Sequence, residues 1–181
     1  ATLWRTARPE FRRGFATPFL WRHDDFEELV VPGSIWLKAY DVADGRERWS
    51  LSGTARVPCS SPVAGDGLLF SASWNIGGDP ADRVRMPPFA EYAIEHDRNR
   101  DGRLTRDEIP AGAVRDRFGQ MDLDKDGQVT PEEWQMMAEM FARTGNALVA
   151  IRPGGKGDIT QTHVAWRVTR SLPYVSSPLY Y

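Results

Sequence analysis

Three tryptophans, each followed at a nearly constant distance by a Ser/Thr-Pro pair, limit the folds open to this chain more than anything else in it. Trp4 precedes Thr17-Pro18, Trp49 precedes Ser61-Pro62 and Trp166 precedes Ser177-Pro178, at Trp-to-Pro distances of 14, 13 and 12 residues. The first two tryptophans lie 45 residues apart and the next two 117 apart, and the prolines lie 44 and 116 apart. Both series put the same excess, 72 residues, in the second interval. The simplest chain with these spacings is a repeat of about 45 residues, with about 72 residues inserted in its second full copy.

The stretches between these marks alternate in the manner of short strands. In the first copy they are 17–22, 28–31, 34–40 and 47–51; in the second, 61–64, 67–73, 147–152 and 162–168. Turn-forming residues separate them: Pro32-Gly33, Asp44-Gly45, Gly65-Asp66-Gly67 and Pro153-Gly154-Gly155. Four strands per repeat of about 45 residues is the arithmetic of a β-propeller blade. A single blade cannot bury both faces, so blades stack around an axis.

The residues from Leu37 through Ala39, Asp41 and Gly45 to Trp49, then Ser61-Pro-Val-Ala-Gly-Asp-Gly-Leu-Leu-Phe70, resemble the repeat of the PQQ-like (quinoprotein-type) β-propellers, which share an Ala-x-Asp-x-x-x-Gly-x-x-x-Trp core. The second copy matches less well, with Ala150-Ile-Arg-Pro-Gly-Gly and then Ala165-Trp166. The resemblance implies that the repeat tryptophan docks between blades and that Asp41 and Gly45 shape the hairpin before the outer strand. The expected architecture is mainly β with an α insert: a partial propeller of about two blades. Residues 1–73 and 146–181 supply the blades, and residues 74–145 form the insert.

That insert holds two twelve-residue segments, Asp97-Arg-Asn-Arg-Asp-Gly-Arg-Leu-Thr-Arg-Asp-Glu108 and Asp122-Leu-Asp-Lys-Asp-Gly-Gln-Val-Thr-Pro-Glu-Glu133. Both fit D-x-[DN]-x-[DN]-G-x₅-E, the EF-hand calcium loop. Calcium is a hard cation that takes six to eight oxygens. Positions 1, 3 and 5 of each loop offer Asp97, Asn99 and Asp101, and Asp122, Asp124 and Asp126. Position 6 turns sharply, which Gly102 and Gly127 allow. Arg103 and Gln128 are expected to give a backbone carbonyl, Thr105 and Thr130 to act through water, and Glu108 and Glu133 to bring both oxygens of one carboxylate from the following helix. Leu104 and Val129, at position 8, suit the short ladder between paired loops that the family implies.

Val114, Phe118 and Met121 before the second loop, and Trp134, Met137, Ala138 and Phe141 after it, mark helical apolar faces. Phe89, Tyr92, Ala93 and His96 before the first loop are a weaker version. Only 13 residues separate the loops, and Pro110 and Gly112 interrupt them, so the linking helices must be short. The loops differ in charge. Four arginines cancel four acids in the first, whereas the second carries five acids against Lys125, a net of −4. Affinity follows ligand charge and rigidity, so the second loop is expected to bind more tightly. Met136, Met137 and Met140 could line the groove of a calcium sensor or pack the core of a small helical lobe that seats on the propeller.

Composition narrows the remainder. Twenty-three Lys and Arg against 25 Asp and Glu give −2, which argues against a general nucleic-acid binder. Cys59 is alone, which excludes an internal disulfide and a thiolate metal cluster. No apolar run is long enough for a membrane span. Residues 1–20 lack the core of a signal peptide, and both ends read as those of a fragment. His23, His96 and His163 are far apart, and no nucleophile-elbow, Walker or zinc-protease motif is present. No catalytic residue is assigned. Ser60-Ser61-Pro62 and Ser176-Ser177-Pro178 recur as architecture. Asn75-Ile-Gly-Gly-Asp79 could form an anion nest but reads better as a hinge into the insert, and Arg12, Arg13, Arg83 and Arg85 are scattered. The expected function is calcium binding on a periplasmic or secreted propeller that holds a protein or small-molecule ligand. The alternatives are a fragment of a PQQ-dependent oxidoreductase, recognisable by cofactor absorbance, and a calcium-triggered recruiting module, recognisable by dye binding.

Overall fold

The computed structural model of the protein describes residues 2–8, 13–76, 78–79 and 84–181. Arg12, Arg83 and Gly77 of the candidate nest lie outside the described residues. The chain divides into two compact units, Ala1–Asp82 with Arg143–Tyr181, and Arg83–Ala142.

Alternating apolar residues build the first unit. β1 (Phe19–His23), β2 (Phe26–Gly33), β3 (Trp36–Asp41) and β4 (Glu47–Ser52) run as an antiparallel meander. β5 (Val63–Gly65) and β6 (Leu68–Ser73) begin a second sheet, which β9 (Ala147–Ile151) and β11 (Val164–Val168) complete in the order β11-β9-β6-β5. Between them in the chain, β7 (Leu104–Thr105) and β8 (Gln128–Val129) belong to the other unit. Residues spaced by two share a face: Leu37 and Ala39 on β3, Trp49 and Leu51 on β4, Ala147, Val149 and Ile151 on β9. These side chains, with Trp21, Val30 and Leu69, form one buried cluster shared by the two sheets. Each fully buried side chain of this size contributes about 1.5–3 kcal/mol, so the sheets hold face to face. They do not close into a ring, and the described fold is mainly β with a helical insert.

β6 and β9 pair directly from Leu69↔Ile151 to Ser73↔Ala147, so the long excursion leaves and re-enters one hairpin. Two asparagines tie its crossing points. The Asn75 N–H donates to Asn146 Oδ1 at 2.8 Å, and Asn146 Nδ2 donates to Asp79 Oδ1 at 3.0 Å. The described part of the expected hinge is therefore pinned. One strand was not legible in the sequence. β10 (Gly157–Asp158) leaves the β9–β11 connection and pairs parallel with β4, Gly157↔Trp49. Ile159 follows it into the core, fully buried.

The repeat marks have distinct surroundings. Trp49 is fully buried, and its indole N–H donates to Glu28 Oε2 at 2.9 Å. Glu28, itself buried, also faces His23 Nε2 at 3.1 Å and Arg48 Nε at 3.0 Å. Trp4 donates to Val42 O at 2.8 Å and lies over Gly45, where a Cβ would meet its ring at 2.3 Å. Gly45 also has φ 73°, open to glycine at little cost, and Asp41 Oδ1 accepts from Ala43 N in the same turn. Trp166 is 42% exposed beside Phe70. The Ser/Thr-Pro marks join in a ladder: Thr17 N–H donates to Ser61 Oγ, and Ser61 N–H donates to Ser177 Oγ, both at 3.0 Å. Cys59 is half-buried.

The second unit carries α1 (Phe89–His96), α2 (Phe118–Met121), α3 (Pro131–Arg143) and the short antiparallel β7–β8 ladder. Leu104, Ile109, Met121, Val129 and Trp134 are fully buried. Trp134 organises α1: its indole N–H donates to Pro87 O at 2.8 Å, and Phe89 and Tyr92 pack on its ring. Met137 and Met140 are buried, whereas Met136 is 44% exposed. Among the described residues no helix is long and apolar enough to cross a membrane.

Candidate metal centre

Each twelve-residue loop begins where a helix ends. The N–H of Asp97 bonds Ala93 O and that of Asp122 bonds Phe118 O, both at 2.9 Å, closing α1 and α2. The exits differ. Thr130 opens α3 as a capping box: Glu133 N–H donates to Thr130 Oγ1 at 3.3 Å, and Thr130 N–H donates to Glu133 Oε2 at 2.9 Å. Pro131 fills the first helical position, which needs no N–H. After the first loop only a turn forms, so Glu108 sits on no following helix. Pro110 explains this, since it disfavours helical geometry at Ile109.

Within the loops the same hydrogen bonds recur. Gly102 N–H donates to Asp97 Oδ2 at 2.9 Å, and Gly127 N–H to Asp122 Oδ2 at 3.1 Å. Position 3 accepts from position 5: Asn99 Oδ1 from Asp101 N at 3.0 Å, Asp124 Oδ1 from Asp126 N at 3.2 Å. Position 5 accepts from position 7: Asp101 Oδ1 from Arg103 N, Asp126 Oδ1 from Gln128 N. The position-12 carboxylates fold back over the loops. Glu108 accepts from Arg98 N, Thr105 N and the Thr105 hydroxyl; Glu133 accepts from Leu123 N, Thr130 N and the Thr130 hydroxyl. Arg100 and Lys125, at position 4, have φ of 60° and 62°, and the position-6 glycines have 79° and 86°. Leu104 pairs with Val129 across β7 and β8.

Backbone N–H groups thus hold the outer oxygens and leave the inner ones over. Asp97 Oδ1 and Asp122 Oδ1 are buried and have no hydrogen-bond partner. A buried, unpartnered carboxylate oxygen is costly, and it recurs at the first position of both loops. In the second loop Asp122, Asp124 and Asp126 each bring an oxygen within 4.8 Å of the others. Oxygens around a common calcium at 2.3–2.6 Å would be spaced no wider than roughly this. The donor set is all hard oxygen, so these residues fit the ion. In the first loop Asn99 Nδ2 donates to Asp101 Oδ2 at 3.0 Å, so a neutral amide satisfies part of the carboxylate.

Several expected residues sit differently from their sequence reading. The Thr105 and Thr130 hydroxyls bond the position-12 carboxylates directly; the T-x-x-E pattern of a capping box was the signal available. The sequence pattern gives Arg103 only a carbonyl role, yet its Nη1 lies 3.2 Å from both Asp126 Oδ2 and Gln128 Oε1 of the other loop. The histidines stay on separate elements, His23 against Glu28, His96 against Tyr92 and His163 beside Thr162.

The position-12 carboxyls titrate below the ordinary range. For Glu108 the hydrogen bond from Thr105 N is the largest cause. For Glu133 burial pushes upward, but the bonds from Thr130, Leu123 and Asp124 outweigh it. A depressed folded value adds stability above the unfolded pKa and loses it as pH falls through the folded one. The calcium-free second unit should therefore melt at constant temperature down to about pH 5, and lower below about pH 4. Circular dichroism melts across this range check it; no fall by about pH 3 would contradict the carboxylate bonding.

A family model described as EF hand matches residues 114–138, which contain the second loop. The match implies calcium binding. No curated protein and no solved structure matches the chain.

Proposed function

We propose that the chain binds two calcium ions, one in each loop, and that binding staples a helical lobe inserted in a PQQ-like propeller scaffold outside the cytoplasm. Asp97, Asn99, Asp101, the Arg103 carbonyl and Glu108 are the ligands of the first site. Asp122, Asp124, Asp126, the Gln128 carbonyl and Glu133 are those of the second. The unpartnered inner oxygens of Asp97 and Asp122 carry this reading. Bound calcium supplies the positive charge at which these oxygens converge.

A structural role is favoured by Met137 and Met140, which are buried rather than offered as a groove. The propeller reading draws support from the ladder through Thr17, Ser61 and Ser177, which joins repeat-equivalent residues 44 and 116 apart. Stacked blades bring equivalent positions side by side in this way. The propeller would then present a protein or small-molecule ligand.

Calcium at about 100 times its dissociation constant should stabilise the protein by about 2.7 kcal/mol for each site filled. Differential scanning calorimetry in calcium and in chelator measures this. Identical melting curves would refute the staple, and dye uptake on adding calcium would favour a sensor instead.

A further inference from the structure

Resting on the calcium reading, we propose that Arg103 of the first loop is a built-in competitor for the second site, holding down its calcium affinity. Asp126 has two carboxylate oxygens. Oδ1 is held by Gln128 N–H at 2.8 Å. Its other oxygen, Oδ2, lies 3.2 Å from Arg103 Nη1. The same Nη1 donates to Gln128 Oε1, also at 3.2 Å, which anchors the guanidinium across the loops. The β7–β8 pairing permits this reach: Leu104↔Val129 sets position 8 against position 8 and Thr105↔Gln128 sets position 9 of the first loop against position 7 of the second, so Arg103 reaches Gln128 on the diagonal of the antiparallel ladder.

Within the second loop, by contrast, five acids face one lysine, and Lys125 makes no ion pair among those described. Arg103 thus brings positive charge from outside the loop to the carboxylate that the site needs. For Asp126 Oδ2 to serve as a ligand, the guanidinium must leave it, and that contact is lost from the free energy of binding. The arginine side chain is 48% exposed, so the interaction is modest, weakens with salt, and can be removed without opening a core.

The test compares the wild-type protein with Arg103→Ala and Arg103→Lys by calcium titration calorimetry at low and high salt. The Gly127 amide resonance reports the second site separately, since its N–H donates to Asp122. Arg103→Ala should tighten the second site by roughly two- to five-fold at low salt, with less gain at high salt. Arg103→Lys keeps the charge and should stay near wild type. Unchanged or weaker binding by Arg103→Ala, with the Gly127 amide still responding to calcium, overturns the proposal. A wild-type protein that binds no calcium overturns the reading beneath it, which is a distinguishable result.

Discussion

Trp49→Ala should destabilise the sheet unit by about 3–5 kcal/mol, the usual cost of emptying a large aromatic site in a core. The indole is fully buried in the cluster shared by both sheets and meets Trp21 edge-on at 6.4 Å between ring centroids. It also gives Glu28 one of its three partners. Trp49→Phe separates the two contributions. It keeps most of the packing and removes the donor, so it should cost less, about 1–3 kcal/mol. Chemical denaturation followed in the far ultraviolet reads both variants. Equal losses would mean that the hydrogen bond to Glu28, rather than the indole's bulk, dominates.

Asp122→Ala should abolish tight calcium binding, with a loss exceeding that from Asp97→Ala by about tenfold or more, or about 1.4 kcal/mol. Each variant removes an unpartnered inner oxygen and the acceptor of a loop-closing N–H. The second loop starts from a net of −4 and the first from zero. The second also has the intact capping box and helix behind Glu133, so its cage is better fixed. Arg103 narrows the gap between the loops but contributes only one charge. Titration calorimetry of the two variants decides the matter, and a larger loss from Asp97→Ala would reverse the assignment.

Much of the strand pattern was legible because its causes are local. Alternation and turn residues put the eight expected strands close to where β1–β6, β9 and β11 lie. The recurring Ser/Thr-Pro marks were legible as repeat architecture, whereas the bonds that join Thr17, Ser61 and Ser177 were seen only in the fold. β10 was not legible. Two residues after a Pro-Gly-Gly turn have no period of their own, and their pairing with β4 exists only because Ile159 finds a place in a core assembled from distant strands. Glu28 was missed for a similar reason, since a charged residue in a strand reads as solvent-facing until its three partners are in place.

The loops divide along the same line. Ligand type, spacing and the glycine turns are properties of twelve consecutive residues, so the sequence alone determined that two loops share this pattern and that their charges differ. The backbone N–H bonds that hold one oxygen of Asp97 and of Asp122 are local as well, spanning five residues within each loop. Where the Arg103 guanidinium rests was decided only by tertiary structure, because it depends on the pairing of Leu104 with Val129 and of Thr105 with Gln128 across β7 and β8. Local chemistry specifies what each loop can bind, and the packing of one loop against the other brings a guanidinium of the first loop to a carboxylate of the second.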